Sequence, residues 1–298
     1  MLKSNKLIVI LGPTSSGKSS LAIKLARKFK GEIISADSRQ VYKGIDLGTG
    51  KVTKKEQQLI PHHLLNVASP KKQFTVAEFK PLAQKAIQKI QAKKKLPFLV
   101  GGTPFYIYAT IDDLQIPGVA PNFKLRNQLR NKTTTQLFAM LKKLDPRRAK
   151  NIDPHNPRRL IRAIEIIKST GKPVPALSSR RAHPEALILG IKKDLAKLYK
   201  LIDARLELRL KAGLIGEVKK LRKLGVSWKR LQEFGLEYHF VSLYLQNKLT
   251  YDEMMLQLKN GIHKFAKRQM TWFKTDSRIK WIKNQKQAER LIKKYSQS

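Results

Sequence analysis

Gly12-Pro13-Thr14-Ser15-Ser16-Gly17-Lys18-Ser19 fits Gly-x-x-x-x-Gly-Lys-Ser/Thr, the loop that cradles phosphates. Its surroundings agree with that reading. Leu7-Ile8-Val9-Ile10-Leu11 before it is an unbroken apolar run, as a buried strand requires, and residues 20–29 after it carry a helical stripe at Leu21, Leu25 and Phe29. Strand, glycine loop and helix together form an anion trap. Glycines let the backbone turn tightly, amides point inward, and the helix N-terminus adds partial positive charge. In such a trap Lys18 reaches the outer phosphate and the Ser19 hydroxyl ligates Mg²⁺.

Working outward, residues 1–116 alternate strand and helix patterns, which predicts an α/β fold with a parallel, P-loop NTPase-like sheet. Glu32-Ile33-Ile34-Ser35-Ala36-Asp37 is a short strand with a carboxylate at its end. Thr75-Val76-Ala77-Glu78 is a capping box opening a helix to about Lys93, with Pro81 as a kink candidate. Pro97-Phe98-Leu99-Val100 is a further strand, ending at Gly101-Gly102-Thr103. The P-loop, Asp37 and Thr103 thus all fall at carboxyl ends of strands, where open α/β sheets bind ligands.

At Ile116-Pro117-Gly118-Val119-Ala120-Pro121 the texture changes. Helical, basic patterns follow at 122–131, 135–144 and 160–169, the last opened by Asn156-Pro157 and closed by Gly171. Ala186-Leu187-Ile188-Leu189-Gly190-Ile191 reads as a strand returning to the sheet, and 195–294 is mostly helical and basic. The expected organisation is a catalytic core of 1–116 with 185–298, interrupted by a mainly helical insertion at 117–184.

Composition narrows the partners. Sixty-two Lys+Arg against 21 Asp+Glu leave a formal charge of +41 in 298 residues. Such a surface attracts polyanions and releases counterions from nucleic acid; a general lysine bias would put solvated Lys on every exposed face. Zero Cys removes disulfides and cysteine–zinc sites and fits a cytoplasmic location. The five-residue apolar run near the N-terminus is too short for a signal peptide, and no stretch approaches the ~20 residues of a membrane span.

From Ile34-Ser35-Ala36-Asp37-Ser38-Arg39-Gln40-Val41-Tyr42 onward the chain resembles the bacterial-type tRNA dimethylallyltransferase family. The likeness continues through Gly44-Ile45-Asp46-Leu47-Gly48-Thr49, Pro61-His62-His63-Leu64-Leu65, Val100-Gly101-Gly102-Thr103 and Asp145-Pro146-Arg147-Arg148-Ala149. Further blocks are Arg158-Arg159-Leu160-Ile161-Arg162-Ala163-Ile164-Glu165, Leu198-Tyr199-Lys200-Leu201-Ile202-Asp203-Ala204-Arg205 and Ala266-Lys267-Arg268-Gln269-Met270-Thr271-Trp272-Phe273. They run in family order over roughly residues 6–275. Departures stand at Asn156 (usually Asp), Arg209 (commonly Met) and Phe234-Gly235-Leu236-Glu237-Tyr238 (often an Ile-Gly-Tyr type segment).

The resemblance implies transfer of a dimethylallyl group from dimethylallyl diphosphate to N6 of the tRNA adenosine 3′ to the anticodon (position 37). Diphosphate is released and isopentenyladenosine is formed. It makes the P-loop, Gly12, Pro13, Thr14, Ser15, Ser16, Gly17, Lys18 and Ser19, a leaving-group cradle, with Mg²⁺ at Ser19 and Arg205 as a further diphosphate contact. On its own, Arg205 reads as a surface charge pairing with Asp203 or Glu207.

Asp37 is the proposed general base. An apolar strand ending in Asp is equally a Mg²⁺-ligand signature, and the Asp-Ser-Arg-Gln context favours the base. Thr103 would present its hydroxyl to Asp37 or the substrate amine, or cap a helix. Ser38, Arg39 and Gln40 would orient the target base, or serve the turn. The base must leave its stack to be reached. Arg126, Arg158, Arg159, Arg162, Lys267 and Arg268 would grip the anticodon stem-loop. Adjacent His62 and His63 lack metal-ligand spacing and read as structural loop residues. Of Trp272 and Phe273, at least one reads as core and the other could stack on a base. A monomer is expected. Competing readings are a nucleoside-monophosphate-type kinase, a prenyltransferase of free adenine nucleotides, and a nucleotide-switched RNA-binding protein.

Overall fold

The computed structural model describes residues 6–175, 183 and 185–297. Their contacts divide the chain into a unit of Met1–Asp113 with Arg181–Ser298 and a unit of Leu114–Arg180. The boundary read at 184/185 falls on Pro184, outside the described residues.

The first unit opens with β1 (Ile8–Leu11), α1 (Lys18–Lys28), β2 (Gly31–Ser35), α2 (Lys54–Leu59), β3 (His62–His63), α3 (Val76–Ala92), β4 (Leu96–Gly101) and α4 (Pro104–Ile111). The second unit holds α5 (Phe123–Arg130), α6 (Thr134–Leu144), α7 (Pro146–Lys150) and α8 (Pro157–Thr170). The chain then returns through β5 (Leu187–Ile191), α9 (Leu195–Lys211), α10 (Leu214–Lys223), α11 (Trp228–Gln232), α12 (Leu236–Tyr244), α13 (Tyr251–Phe273), β6 (Lys280–Ile282) and α14 (Gln285–Gln297).

Among the described residues the sheet has six strands, all parallel, in the order β3-β2-β4-β1-β5-β6. β1, β2, β4 and β5 are buried along their whole length, which is why β1, β4 and β5 read as near-continuous apolar runs instead of alternating ones. Ile8, Ile10, Ile33, Phe98, Val100, Leu187 and Leu189 pack with Ala22, Leu25 and Ala26 of α1 and Ile292 of α14. Glu32, buried on β2, is held by Lys95 at 2.9 Å, His63 at 2.7 Å and Lys93 at 3.3 Å. Burial works to raise its pKa, but those hydrogen bonds outweigh it and hold the carboxyl down to about 2. His62 and His63 are therefore strand residues, not the loop residues expected. A two-residue strand has too little pattern to read in sequence.

The caps predicted locally are present. Thr75 and Glu78 form the reciprocal box of α3, Asn156 accepts from the Arg159 amide to open α8, and Gly171 closes α8 at φ 67°. Asn156 thus does the capping that Asp would do.

In the second unit, Leu129, Leu137, Leu141, Leu160, Ile164 and Ile167 form a separate core. Beside it, Glu165 is fully buried. It receives a bidentate pair from Arg126 (2.7 and 2.7 Å), Arg162 Nη1 at 2.5 Å and the Asn122 amide at 2.7 Å. Burial works to raise its pKa; the arginines and the amide outweigh it and lower it. Because the folded pKa is depressed, this contribution is present above the ordinary Glu range and is lost as pH falls through the folded value. Glu165→Gln is expected to destabilise this unit by about 3–5 kcal/mol, since it leaves two guanidinium groups without their counter-charge. Amide exchange in α5 and α8 of the full chain measures this, and unchanged protection would count against it.

Candidate active site

The sheet register brings three loops together. Leu11 pairs with Gly101 and Ser35 with Val100, so Gly12, Gly102 and the Ala36-Asp37 step leave adjacent strands at one edge. The Thr103 amide donates to the Ala36 carbonyl at 3.4 Å. A Cβ on Gly101 would run into the Ala36 backbone, so glycine there is a condition of the close approach.

The P-loop turns through Ser15 at φ 58° and Gly17 at φ 88°, and α1 starts without a side-chain cap. Among the described residues, no protein acceptor meets the amides of Ser15, Gly17, Lys18 or Ser19. Free amides at an uncapped helix N-terminus suit an anion. Thr14 and Ser16 are the exceptions: the Thr14 amide donates to Gln269 Oε1 at 2.9 Å and the Ser16 amide to the Pro13 carbonyl at 3.3 Å, so neither is a free cradle donor as expected. Ser16 Oγ is buried with no hydrogen-bond partner among the described residues. Lys18 Nζ donates back to the Pro13 carbonyl at 3.2 Å. Burial pulls the Lys18 pKa down to about 8, with Asp37 opposing and Arg205 and Arg209 assisting.

Asp37 is half-buried. Its Oδ1 accepts from the Arg39 amide at 2.9 Å and the Gln40 amide at 3.4 Å, an Asx turn. Its Oδ2 meets no protein donor among the described residues. Its charge acts on Lys18, Arg205 and Glu237. One carboxylate oxygen is thus spent on the turn, and the other is left without a protein donor among the described residues.

Thr103 stands at the N-cap position of α4, as expected, but its side chain makes no capping hydrogen bond and none to Asp37. Its Oγ1 accepts from the Ser38 amide at 3.1 Å and lies 3.5 Å from Ser38 Oγ. The reason is the Asx turn, which presents the Ser38 amide to Thr103 while Asp37 Oδ1 turns onto its own loop. Gln40 is a brace: Oε1 accepts from Ser35 Oγ at 3.2 Å, and Nε2 donates to the Thr49 and Gly50 carbonyls at 3.4 Å. Its carboxamide thus serves the turn, the other use expected of it. Arg39 has no carboxylate partner among the described residues.

Arg205 is not paired with Asp203 or Glu207. Asp203 bonds His263 at 2.8 Å and Glu207 bonds Lys259 at 3.0 Å. The guanidinium of Arg205 instead donates to the Gly50 carbonyl at 3.2 Å, and burial brings its pKa down to about 10. Beside it, Arg209 donates to the Gly48 carbonyl at 3.2 Å and pairs with Glu237 at 3.0 Å. A Cβ on Gly50 would strike both guanidinium groups. The same loop gives three successive amides, Asp46, Leu47 and Gly48, to the Glu217 carboxylate at 2.8–3.2 Å. A small cleft is lined by Ser19, Ala22, Ile33, Ser35, Gln40, Val52, His62, Leu65 and Val100. Among the described residues there is no metal-binding cluster of three His, Cys, Asp or Glu.

Comparison with known proteins decides the family. The IPP transferase family model matches residues 40–276. A tRNA dimethylallyltransferase of Carboxydothermus hydrogenoformans is 40% identical over 300 residues, covering 98% of this chain and 96% of that one. The chain belongs to the tRNA dimethylallyltransferase family. A Roseiflexus relative of the same description is 41% identical over 273 residues, 90% of each chain. Among solved structures, the tRNA isopentenylpyrophosphate transferase of Bacillus halodurans superposes with a TM-score of 0.74 at 34% identity, covering 98% of this chain and 97% of that one. A eukaryotic dimethylallyltransferase acting on tRNA gives 0.75 at 28% identity, covering 90% of this chain and 70% of that one.

In this member of the tRNA dimethylallyltransferase family, two departures from the family pattern are each other's partner: Arg209 and Glu237 form one ion pair. Burial foremost raises the Glu237 pKa, opposed by Arg209. Arg126 and Arg162, read as stem-loop contacts, both pair with Glu165. Charge counting cannot foresee that a buried carboxylate claims Arg126 across 39 residues. Arg158, Arg159, Lys267 and Arg268 are exposed. Phe273 is buried, while Trp272 is 44% exposed with its ring 5.5 Å from Tyr108. Sequence reasoning gave no role to Gln269, Glu217 or Glu237. Gln269 had a signal: it interrupts the apolar stripe Leu258, Ile262, Ala266, Phe273 of α13.

Proposed function

We propose that this chain transfers the dimethylallyl group of dimethylallyl diphosphate to N6 of the adenosine 3′ to the anticodon of tRNA. The family supports this reading, and the observation that carries it is the sheet register, which sets Asp37, with one oxygen unspent among the described residues, at the same end of the sheet as the P-loop and its buried Lys18. The allylic C1–O bond breaks and its electron pair leaves on the diphosphate. The N6 lone pair forms the new C–N bond, and the N6 proton passes to Asp37 Oδ2. Amides of Ser15, Gly17, Lys18 and Ser19, with the Lys18 ammonium, meet the charge that develops on the leaving group. Arg205, whose charge acts on Lys18, adds to that positive field.

The Ser19 hydroxyl has no protein partner among the described residues, and with phosphate oxygens it makes the hard-oxygen donor set that suits Mg²⁺. Bound there, the ion would neutralise charge on the diphosphate. The apolar wall of the cleft beside Ser19, Ala22, Val52 and Leu65, offers a lining for a five-carbon tail. Thr103, through Ser38, holds the loop that carries Asp37. The active species is taken as a cytoplasmic monomer; among the described residues no helix is long and apolar enough to cross a membrane.

Incubation with labelled dimethylallyl diphosphate, Mg²⁺ and unmodified tRNA is expected to give labelled N6-isopentenyladenosine on nucleoside analysis. Labelling of AMP in preference to tRNA, or γ-phosphate transfer from ATP to a small acceptor, would replace this reading with one of its rivals.

RNA affinity should be strongly salt-dependent. If Arg158, Arg159, Lys267 and Arg268 each neutralise one phosphate, raising salt from about 50 to 200 mM weakens tRNA binding roughly a hundredfold. Filter binding across that range checks it, and a flat response would exclude gripping by the backbone.

A further inference from the structure

α13 buries one stripe of side chains: Met254, Leu258, Ile262, Ala266, Gln269 and Phe273. Five are apolar. Gln269 alone carries a polar head, and it is 5% exposed. Its carboxamide has one acceptor and one donor function, and each is used on a different loop. Oε1 accepts from the Thr14 amide of the P-loop at 2.9 Å, and Nε2 donates to the Gly102 carbonyl at 2.6 Å. Gly102 is shaped for this contact. A Cβ there would lie 2.6 Å from Nε2 and 3.3 Å from the Gly12 carbonyl.

We propose that Gln269 is a positioning residue that locks the P-loop to the Gly101-Gly102-Thr103 turn and so sets the leaving group against the acceptor. This rests on the transferase reading above. The P-loop carries the diphosphate; the turn carries Thr103, which holds the Asp37 loop through Ser38. Displacement substitution needs reacting atoms about 3–3.5 Å apart, and a misplacement of about 1 Å costs on the order of 10²-fold in rate. Releasing the clamp lets the outer arm of the loop move relative to Thr103. The amides of Ser15, Gly17, Lys18 and Ser19, and Lys18 itself, still bind the anion. The loss therefore falls on kcat, with the KM for the allyl donor nearly unchanged. A carboxamide that only satisfied buried backbone groups would lower stability and leave the rate of each folded molecule untouched.

Three variants of the full chain separate these roles. Gln269→Met keeps length and volume and suits the apolar stripe, but makes neither bond. Gln269→Glu keeps an acceptor for Thr14 and loses the donor for Gly102. Gly102→Ala pushes the carboxamide out from the other side. With labelled dimethylallyl diphosphate and unmodified tRNA, Gln269→Met and Gly102→Ala are each expected to lower single-turnover kcat by about 10–100-fold. The KM for the donor and the inhibition constant of inorganic pyrophosphate stay within about twofold, because uniform binding is retained. The double variant is expected to lose no more than the worse single one, because both break the same clamp. Gln269→Glu falls between Gln269→Met and the native chain. Native kcat in Gln269→Met and Gly102→Ala, losses that multiply, or a loss confined to KM would each overturn the assignment. Should Gln269→Met not fold, Gly102→Ala and Gln269→Glu decide by the same kcat and KM readings. A native chain that transfers no allyl group removes the transferase reading and the clamp with it. A native chain that is active beside unimpaired variants removes only the clamp.

Discussion

Asp37→Asn is expected to lower kcat for allyl transfer by about 10²–10⁴-fold, the range for loss of a positioned general base. Asn is the informative substitution because Asp37 has two separate tasks. Its Oδ1 holds the Arg39 and Gln40 amides, and the Asn carbonyl can do the same. Only the unspent oxygen is exchanged for an amide that cannot take a proton. The adenine amine donates its lone pair into the purine ring, so it attacks well only as its proton departs. Binding of tRNA and of pyrophosphate should remain near the native level. Rescue of the variant by higher Mg²⁺ would assign Asp37 to the metal instead. A variant with native kcat would remove the base altogether.

Lys18→Met should lower kcat/KM by about 10²–10³-fold, as expected for a donor aimed at developing oxyanion charge in a water-poor site. Its pH signature is specific. With a pKa near 8, the free protein loses the ammonium as pH rises through that value. In the native chain kcat/KM is therefore expected to fall about tenfold per pH unit above it. Bound diphosphate favours the ammonium, so kcat holds to higher pH than kcat/KM. Arg205, near 10, stays charged through the start of that limb. Lys18→Met should flatten it, and a native kcat/KM that stays level to pH 10 would contradict the assignment. The stability sign is the reverse of a favourable lysine pair. The folded pKa lies below the ordinary 10.5, so the unfolded chain binds more protons between the two values. The burial penalty is full below about pH 8 and is relieved as pH rises toward 10.5.

The elements that sequence reading located are those whose causes are local. The P-loop and α1 follow from glycines and a helical stripe within twenty residues. The α3 box is Thr75 with Glu78, three positions apart, and the α8 stop is Gly171 alone. Strand β4 was recognised as a strand, but its seat between β1 and β2 was not, because pairing order depends on crossovers. β3 and β6 have two and three residues, too few for a periodic signal. Of the two arginines on Glu165, Arg162 lies at i,i+3 and its pairing could have been read from spacing; Arg126, 39 residues away, could not.

The candidate site divides along the same line. By itself the sequence determined that an anion cradle, a strand-end aspartate and a strand-end Gly-Gly-Thr exist, since each is a short run with its own backbone logic. Only the tertiary structure decided their employment. It gave Thr103 to Ser38, Gln40 to the Gly50 loop, Arg205 to the Gly50 carbonyl across 155 residues, and the Thr14 amide to Gln269 across 255. Local order arises from neighbours in the chain, whereas a buried polar group must take whichever partner the packed sheet and helices bring within hydrogen-bond reach.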